Sequence, residues 1–206
     1  MSDHQAAVHH VHRDDVGAKM GMWLFLFTEV LLFGGMFLVY AVYRYQFPDQ
    51  FHLAAMELNT GIGTLNTIIL LTSSLTVALS IAALQKGNKF LSMVLLSITI
   101  LFAVMFMVNK YFEWTTKFAH GIYPGSPELA GKPNGQILFF GLYYVMTGLH
   151  ALHVLVGMVI LAFMLVFIKR NKVTHNNYIK LENSGLYWHL VDLIWIFLFP
   201  LFYLIQ

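Results

Sequence analysis

Five long apolar segments dominate this sequence and restrict the folds open to it. They run over about 20–43, 61–84, 90–108, 135–168 and 185–205. A membrane-spanning helix needs roughly 20 apolar residues, so each segment is long enough to cross a bilayer. Charged residues make up 11% of the chain, against about a quarter of a soluble domain. We therefore predict an all-α integral membrane bundle of five transmembrane helices.

The connections between the segments indicate their arrangement. Residues 85–89 form a short polar turn, so the second and third segments are expected to pair as an antiparallel hairpin. Residues 109–134 form the longest loop, where Pro124, Pro127 and Pro133 argue against regular structure. With the N-terminus in the cytoplasm, eight lysines and arginines face inward and four face outward. This bias favours a cytoplasmic N-terminus and a periplasmic C-terminus.

The start of the chain differs in composition from the rest. A polar tail over 1–16, which does not resemble a secretory signal peptide, precedes a transmembrane domain over 17–206. The tail contains four histidines, His4, His9, His10 and His12. Neutral imidazoles bind zinc or copper, but we interpret this cluster as a solvated tail because no paired ligand shell accompanies it.

Composition also excludes several functions. The chain contains no cysteine, which excludes disulfides, thiolate metal sites and a cysteine nucleophile. Its net charge of +2 is too weak and too dispersed to indicate nucleic-acid binding.

A single carboxylate, Glu29, interrupts the first segment about half-way along. A charged group at that depth costs at least a few kcal/mol, and burial in an apolar medium favours the neutral, protonated acid. Two interpretations stay open. Glu29 is a proton-linked or gating carboxylate, or one facing a partner subunit; alternatively, it is a neutral acid hydrogen-bonded between helices.

Two histidines, His150 and His153, lie three residues apart in the fourth segment, with Gly157 a turn beyond. Small residues let helices approach closely, so this pattern is typical of a helix–helix contact. A metal or haem site is the alternative, but two histidines on one helix cannot take opposite axial positions on one haem. We favour interhelical hydrogen bonds or contact with lipid headgroups.

Other polar residues lie at or within the apolar segments. Hydroxyl and amide residues from Asn59 to Thr76 follow the second segment, which indicates tight helix packing. Glu113 lies beside aromatic residues at the end of the third segment, a pattern typical of the membrane interface. His189 and Asp192 share a face of the last segment, and we hypothesise that they pair as a hydrogen-bonded unit.

Five motifs together resemble one family. They are GMWLFLFTEV at 21–30, NTIILLTSS at 66–74, YFEW at 111–114, GLHALHVLVG at 148–157 and YWHLVDLIW at 187–195. The chain from about residue 17 onward resembles subunit III of the haem-copper respiratory oxidases. Its familiar mitochondrial form has seven helices, and this chain matches the last five, as in the short bacterial form. In the seven-helix form, the other two helices form one wall of a lipid-filled cleft. In this protein that wall would come from another chain, or the cleft is open.

The resemblance implies a function without redox chemistry in this chain. It implies an accessory subunit of a proton-pumping cytochrome c oxidase in a bacterial inner membrane, which reduces oxygen to water in aerobic electron transport. Haems and copper are expected in partner subunits I and II, with structural phospholipids, small subunits and a larger respiratory supercomplex as further partners. The subunit would stabilise the catalytic subunit and sustain its proton uptake.

The resemblance also implies roles for particular residues. Glu29 matches the buried carboxylate of the family, whose reactivity towards carbodiimides implies a protonated, apolar setting. The other intramembrane polar positions are expected to make interhelical or lipid contacts: His150, His153, His189, Asp192 and Glu113. No catalytic, metal-binding or cofactor-binding residue is expected.

The sequence bears differently on four alternative functions. A quinol oxidase subunit III, or a related protein that accompanies nitric oxide reductases, stays open. A membrane di-iron hydroxylase needs about eight clustered histidines, and the membrane segments offer only the His150/His153 spacing. A small transporter often has internal repeats and broken helices, and the sequence shows neither.

Overall fold

The computed structural model describes residues 15–205, and this part of the chain folds into seven α-helices without a β-strand. Five helices are long: α1 (Asp15–Gln46), α3 (Thr60–Gln85), α4 (Lys89–Ala119), α6 (Asn134–Lys169) and α7 (Ile179–Tyr203). Two are short: α2 (Pro48–Ala55) and α5 (Pro127–Ala130). All five long helices have the length and apolar composition to cross a membrane, which confirms the predicted all-α, five-helix fold class.

The predicted tail over 1–16 lies almost wholly outside the described residues, and so do His4, His9, His10 and His12. Helix α1 is already formed at Asp15. The division of the chain at residue 17 stays a prediction.

Helix α4 corrects the prediction of a loop that begins at residue 109. It continues to Ala119 because its polar residues Lys110, Glu113 and Lys117 point into the bundle, where they are buried. The connection that follows is therefore shorter than expected. It contains α5, which the Ser126 side chain caps by accepting a hydrogen bond from the Leu129 amide at 3.1 Å.

This correction leaves the orientation a prediction. Lys110 and Lys117 are buried in α4, but both lie towards its C-terminal end, on the side of the bundle that the charge count takes as outward. The bias of eight to four is therefore unchanged, and the cytoplasmic N-terminus stays a prediction that it favours.

Helices α3 and α4 pack along their lengths as the expected hairpin. Gly87 in the turn has a φ of +80°, a left-handed conformation that glycine adopts without steric cost. The Asn88 side chain then caps α4 by accepting a hydrogen bond from the Leu91 amide at 3.0 Å.

Polar residues of α3 join it to α4 and α7. The Asn109 amide donates to Asn66 Oδ1 at 2.8 Å, and the Trp195 indole donates to Thr67 Oγ1 at 3.0 Å. About two turns further along α3, the Trp188 indole donates to Ser73 Oγ at 3.1 Å. These contacts agree with the interpretation of this stripe as tight helix packing.

Helix α1 stands at the edge of the bundle, where it packs against α6 and α7. Only 11% of its most apolar window is buried, against 50% for α7. Large apolar side chains such as Trp23, Leu24 and Leu38 are more than half exposed. This face must be covered by lipid or by another protein chain.

Candidate functional site

A carboxyl–imidazole pair joins α1 to α6 about half-way along both helices. Glu29 Oε2 lies 2.9 Å from His153 Nε2. The two side chains are 14% and 13% exposed, so the pair is shielded but can be reached from one side. Phe33 packs edge-on against the imidazole, with ring centroids 5.5 Å apart. The structure thus brings together two residues that the sequence singled out separately.

The second ring nitrogen of His153 limits the proton arrangements of this pair. Nδ1 lies 2.8 Å from the Leu149 carbonyl oxygen, which can only accept a hydrogen bond. Nδ1 therefore carries a hydrogen. The pair is then either a protonated Glu29 donating to a neutral imidazole, or a Glu29 carboxylate accepting from an imidazolium. Both forms place one proton between the two residues, and both have no net charge.

An apolar groove of about 340 Å³ runs beside this pair. Apart from His153, its walls include Met22, Phe25, Leu152, Val156, Ile160 and Tyr187. The Tyr187 hydroxyl donates to the His153 carbonyl oxygen at 3.2 Å, which ties α7 to the same site. The groove can take an acyl chain or an apolar side chain from a partner, with His153, Asn183 and Ser184 as polar residues in its wall.

A second polar cluster is buried between α4, α6 and α7. Lys110 Nζ donates to Glu113 Oε2 at 3.0 Å. The hydroxyls of Tyr143 and Tyr203 donate to Glu113 Oε1 at 2.8 and 2.6 Å. Lys110 and Glu113 are 2% and 6% exposed. The Glu113 carboxylate thus makes contacts between helices inside the bundle, with tyrosines of α6 and α7.

The sequence analysis missed Lys110, Tyr143 and Tyr203 as members of this cluster. The spacing of Lys110 and Glu113 was a usable signal, since i, i+3 residues of opposite charge meet on a helix. A loop that starts at residue 109, as hydropathy predicts, hides that signal, because it places both residues outside the helix. The tyrosines gave no such signal, because each lies on a different helix.

The other predicted polar residues are spread over several helix contacts. His150 is fully buried against Phe106 and Trp195, with ring centroids 5.7 and 5.2 Å away. His189 Nδ1 contacts the Ser74 hydroxyl on α3 at 2.6 Å. The hypothesised His189–Asp192 hydrogen bond is wrong. The carboxyl oxygens of Asp192 have no hydrogen-bond partner within the described residues, although the Ser74 hydroxyl is near enough to interact electrostatically.

Among residues 15–205, no three histidine, aspartate or glutamate side chains come together in a group that could hold a metal ion. His150 and His153 illustrate the reason. One faces α4 and α7, whereas the other faces α1.

Comparison with known proteins assigns these features to one family. The sequence model of the family described as cytochrome c oxidase subunit III matches residues 2–206. The chain belongs to the cytochrome c oxidase subunit III family. The resemblance drawn from the five motifs is confirmed, and with it the function of an accessory subunit of a haem-copper oxidase, an oxidoreductase complex.

Individual relatives of this subunit III chain span bacteria, archaea and eukaryotes. Cytochrome c oxidase subunit 3 of Thermostichus vulcanus is 31% identical over 97% of this chain and 92% of its own length. The protein of the same name from Yarrowia lipolytica is 31% identical over 98% of this chain and 71% of its own length. Heme-copper oxidase subunit I+III of Aeropyrum pernix is 29% identical over 91% of this chain. The match covers 22% of that protein, so the chain spans about a fifth of its length.

Proposed function

We propose that this chain packs against subunits I and II of a proton-pumping oxidase in a bacterial plasma membrane, and that it contains no redox centre itself. Its contribution is to stabilise the catalytic subunit, to hold phospholipid against it and to sustain proton uptake. The observation that carries this proposal is the Glu29–His153 pair beside an apolar groove on the most exposed helix.

The exposed face of α1 supports a neighbour in the membrane plane. The Aeropyrum pernix relative, named subunit I+III, supports subunit I as that neighbour. Because no other helix within residues 15–205 covers the outer side of α1, a phospholipid held in the groove would fill the contact between the two subunits. The apolar walls suit its acyl chain, and His153, Asn183 and Ser184 offer it polar contacts.

The proton shared by Glu29 and His153 supports a link to proton uptake. Gaining or losing a proton would leave the pair with a net charge, which costs a few kcal/mol inside a membrane. A charge on a partner subunit or on a lipid headgroup near the pair would change the position of the shared proton. An exchangeable group of this kind is suited to respond to turnover in the neighbouring subunit.

The test is Glu29→Gln in the purified oxidase. Gln keeps the size of the side chain and can still bond His153, so the complex is expected to assemble. Proton-coupled turnover, or its lifetime during sustained turnover, is expected to fall modestly. Glu182→Gln is the matched control, because Glu182 at the start of α7 pairs with Lys19 at the start of α1 at 2.9 Å, away from His153. Loss of the whole complex, or a turnover equal to that of the control, would contradict a proton-linked role for Glu29.

A further inference from the structure

A partly exposed seam runs along the outside of the bundle between α3 and α7. It is formed by Leu71, Ser74 and Leu75 of α3 and by His189 and Leu193 of α7, and we call it the α3–α7 seam. The three leucines are 47%, 58% and 48% exposed. Ser74 and His189 are half-buried, and the Ser74 hydroxyl lies 2.6 Å from His189 Nδ1. The seam is therefore an apolar surface that contains one polar pair.

This polar pair lies close to the middle of the membrane. At a rise of 1.5 Å per residue, His189 is roughly 15 Å from the start of α7 at Ile179 and roughly 21 Å from its end at Tyr203. The hydrocarbon core of a bilayer is about 30 Å thick. A lipid beside the seam therefore presents its acyl chains at this depth, and an acyl chain cannot accept a hydrogen bond.

The hydrogen bond of Ser74 fixes where the imidazole of His189 carries its hydrogen. The adjacent hydroxyls of Thr72 and Ser73 donate to carbonyl oxygens of α3 itself, both at 2.7 Å. Within the described residues, the Ser74 side chain bonds His189 Nδ1 instead, and the nearby Asp192 carboxyl forms no hydrogen bond with it. If Nδ1 donated this bond, the hydrogen of Ser74 would have no acceptor. Ser74 therefore donates, and His189 carries its hydrogen on Nε2.

His189 Nε2 is a donor without an acceptor. No residue within 15–205 forms a hydrogen bond with it, and it is not among the polar atoms that the bundle encloses. A donor left unpaired in hydrocarbon costs free energy, and ionisable side chains in a membrane normally face protein groups or water. A neighbouring protein helix with an oxygen at this depth would remove that cost, whereas a lipid would not.

We propose that the α3–α7 seam docks a transmembrane helix of subunit I, and that His189 Nε2 donates a hydrogen bond to a side-chain oxygen of that helix. Leu193 also lines an apolar groove between α1 and α7, so the seam adjoins the exposed face of α1. The docking rests on the function proposed above, which makes subunit I the neighbour. It adds the surface of contact and the polar group that fixes the register of the partner helix.

Site-specific photocross-linking of the whole oxidase in its native membrane tests the surface. Leu75 replaced by p-benzoylphenylalanine should form a covalent adduct with subunit I, identified by mass spectrometry. The same replacement of Leu101, which is 65% exposed on α4, is the matched control and should form no adduct with subunit I. Replacement of Leu24 on α1 tests the neighbour itself. An adduct at Leu24 without one at Leu75 would overturn the docking and leave the proposed function intact. A complex that lacks subunit I would contradict both.

Two substitutions of His189 test the hydrogen bond. Asparagine can still accept from Ser74 but is too short to reach the partner, whereas glutamine places its amide nitrogen near the position of Nε2. His189→Asn should make this chain dissociate from the purified complex roughly three- to tenfold faster, the effect of one interhelical hydrogen bond. His189→Gln should dissociate like wild type, and so should His120→Asn, the matched control at an exposed histidine outside the seam.

A purely internal role of His189 predicts the reverse order, because glutamine loses the bond to Ser74 and asparagine keeps it. That order, or equal dissociation of the two variants, would overturn the proposed hydrogen bond. The cross-link at Leu75 needs no change at His189, so it still decides the docking if His189→Asn fails to assemble.

Discussion

The buried Lys110–Glu113 pair allows a sharp prediction about stability. Glu113→Gln removes the only carboxylate bonded to Lys110 within the described residues and leaves a buried ammonium group. Lys110→Met leaves a carboxylate that still accepts hydrogen bonds from two tyrosine hydroxyls, at 2.6 and 2.8 Å. Because the remaining carboxylate has donors and can also take up a proton, Lys110→Met is expected to be the milder change.

The magnitude follows from the burial of the pair. Breaking a buried ion pair by removing one partner costs about 3–5 kcal/mol in a protein interior. Inside a membrane the unfolded reference state also finds polar partners, which lowers the net value of such contacts. We therefore expect Glu113→Gln to lower the free energy of unfolding by about 3 kcal/mol, at the low end of this range. A change of that size is roughly a hundredfold in the folding equilibrium.

The assay is equilibrium unfolding of the purified chain in mixed detergent micelles, followed by tryptophan fluorescence. The double variant Lys110→Met/Glu113→Gln has no buried charge at this site, so it should be more stable than Glu113→Gln alone. The interaction energy from the four proteins should lie between about 0.5 and 3 kcal/mol. Strictly additive losses would refute the idea that the two charges stabilise the bundle as a pair.

Two further predictions concern the packing of α7. Gly157→Ala would place a Cβ atom 2.7 Å from Trp188 Cε3, so it should destabilise the bundle by about 1–3 kcal/mol. Gly141→Ala, where nothing lies within 4 Å, should be close to neutral in the same unfolding assay. Ser74→Ala and His189→Phe should each weaken the α3–α7 contact, and the double variant should cost little more than one single variant, because both remove the same hydrogen bond. Independent losses in that cycle would contradict the assignment of Ser74 as the partner of His189.

Hydropathy was sufficient for the number and type of the helices, because five apolar segments have few alternatives to crossing a membrane. It failed at the end of α4, where Lys110, Glu113 and Lys117 read as loop residues. Their charges are compensated by groups on other helices. Hydropathy is averaged over neighbouring residues in the sequence, so it does not include those groups. The boundary was therefore set by tertiary contacts that hydropathy does not measure.

For the candidate sites, the sequence likewise identified the unusual residues but not their partners. The cost of polar groups in a membrane identified Glu29, His153 and His189 as unusual, and all three make contacts between helices. Their partners could not be predicted. His153 meets a carboxylate 124 positions earlier in the chain. His189 and Asp192 share a helix face, but the His189 imidazole finds its partner on α3 instead.

The most direct test of the assigned function is purification of the native complex through a C-terminal tag on this chain, followed by mass spectrometry of the subunits and a reduced-minus-oxidised spectrum. The assignment predicts a copper-bearing catalytic partner with signals of haem a or haem o, and the second subunit then identifies the electron donor. A colourless preparation, or a complex with the b- and c-type haems of a nitric oxide reductase, would contradict it.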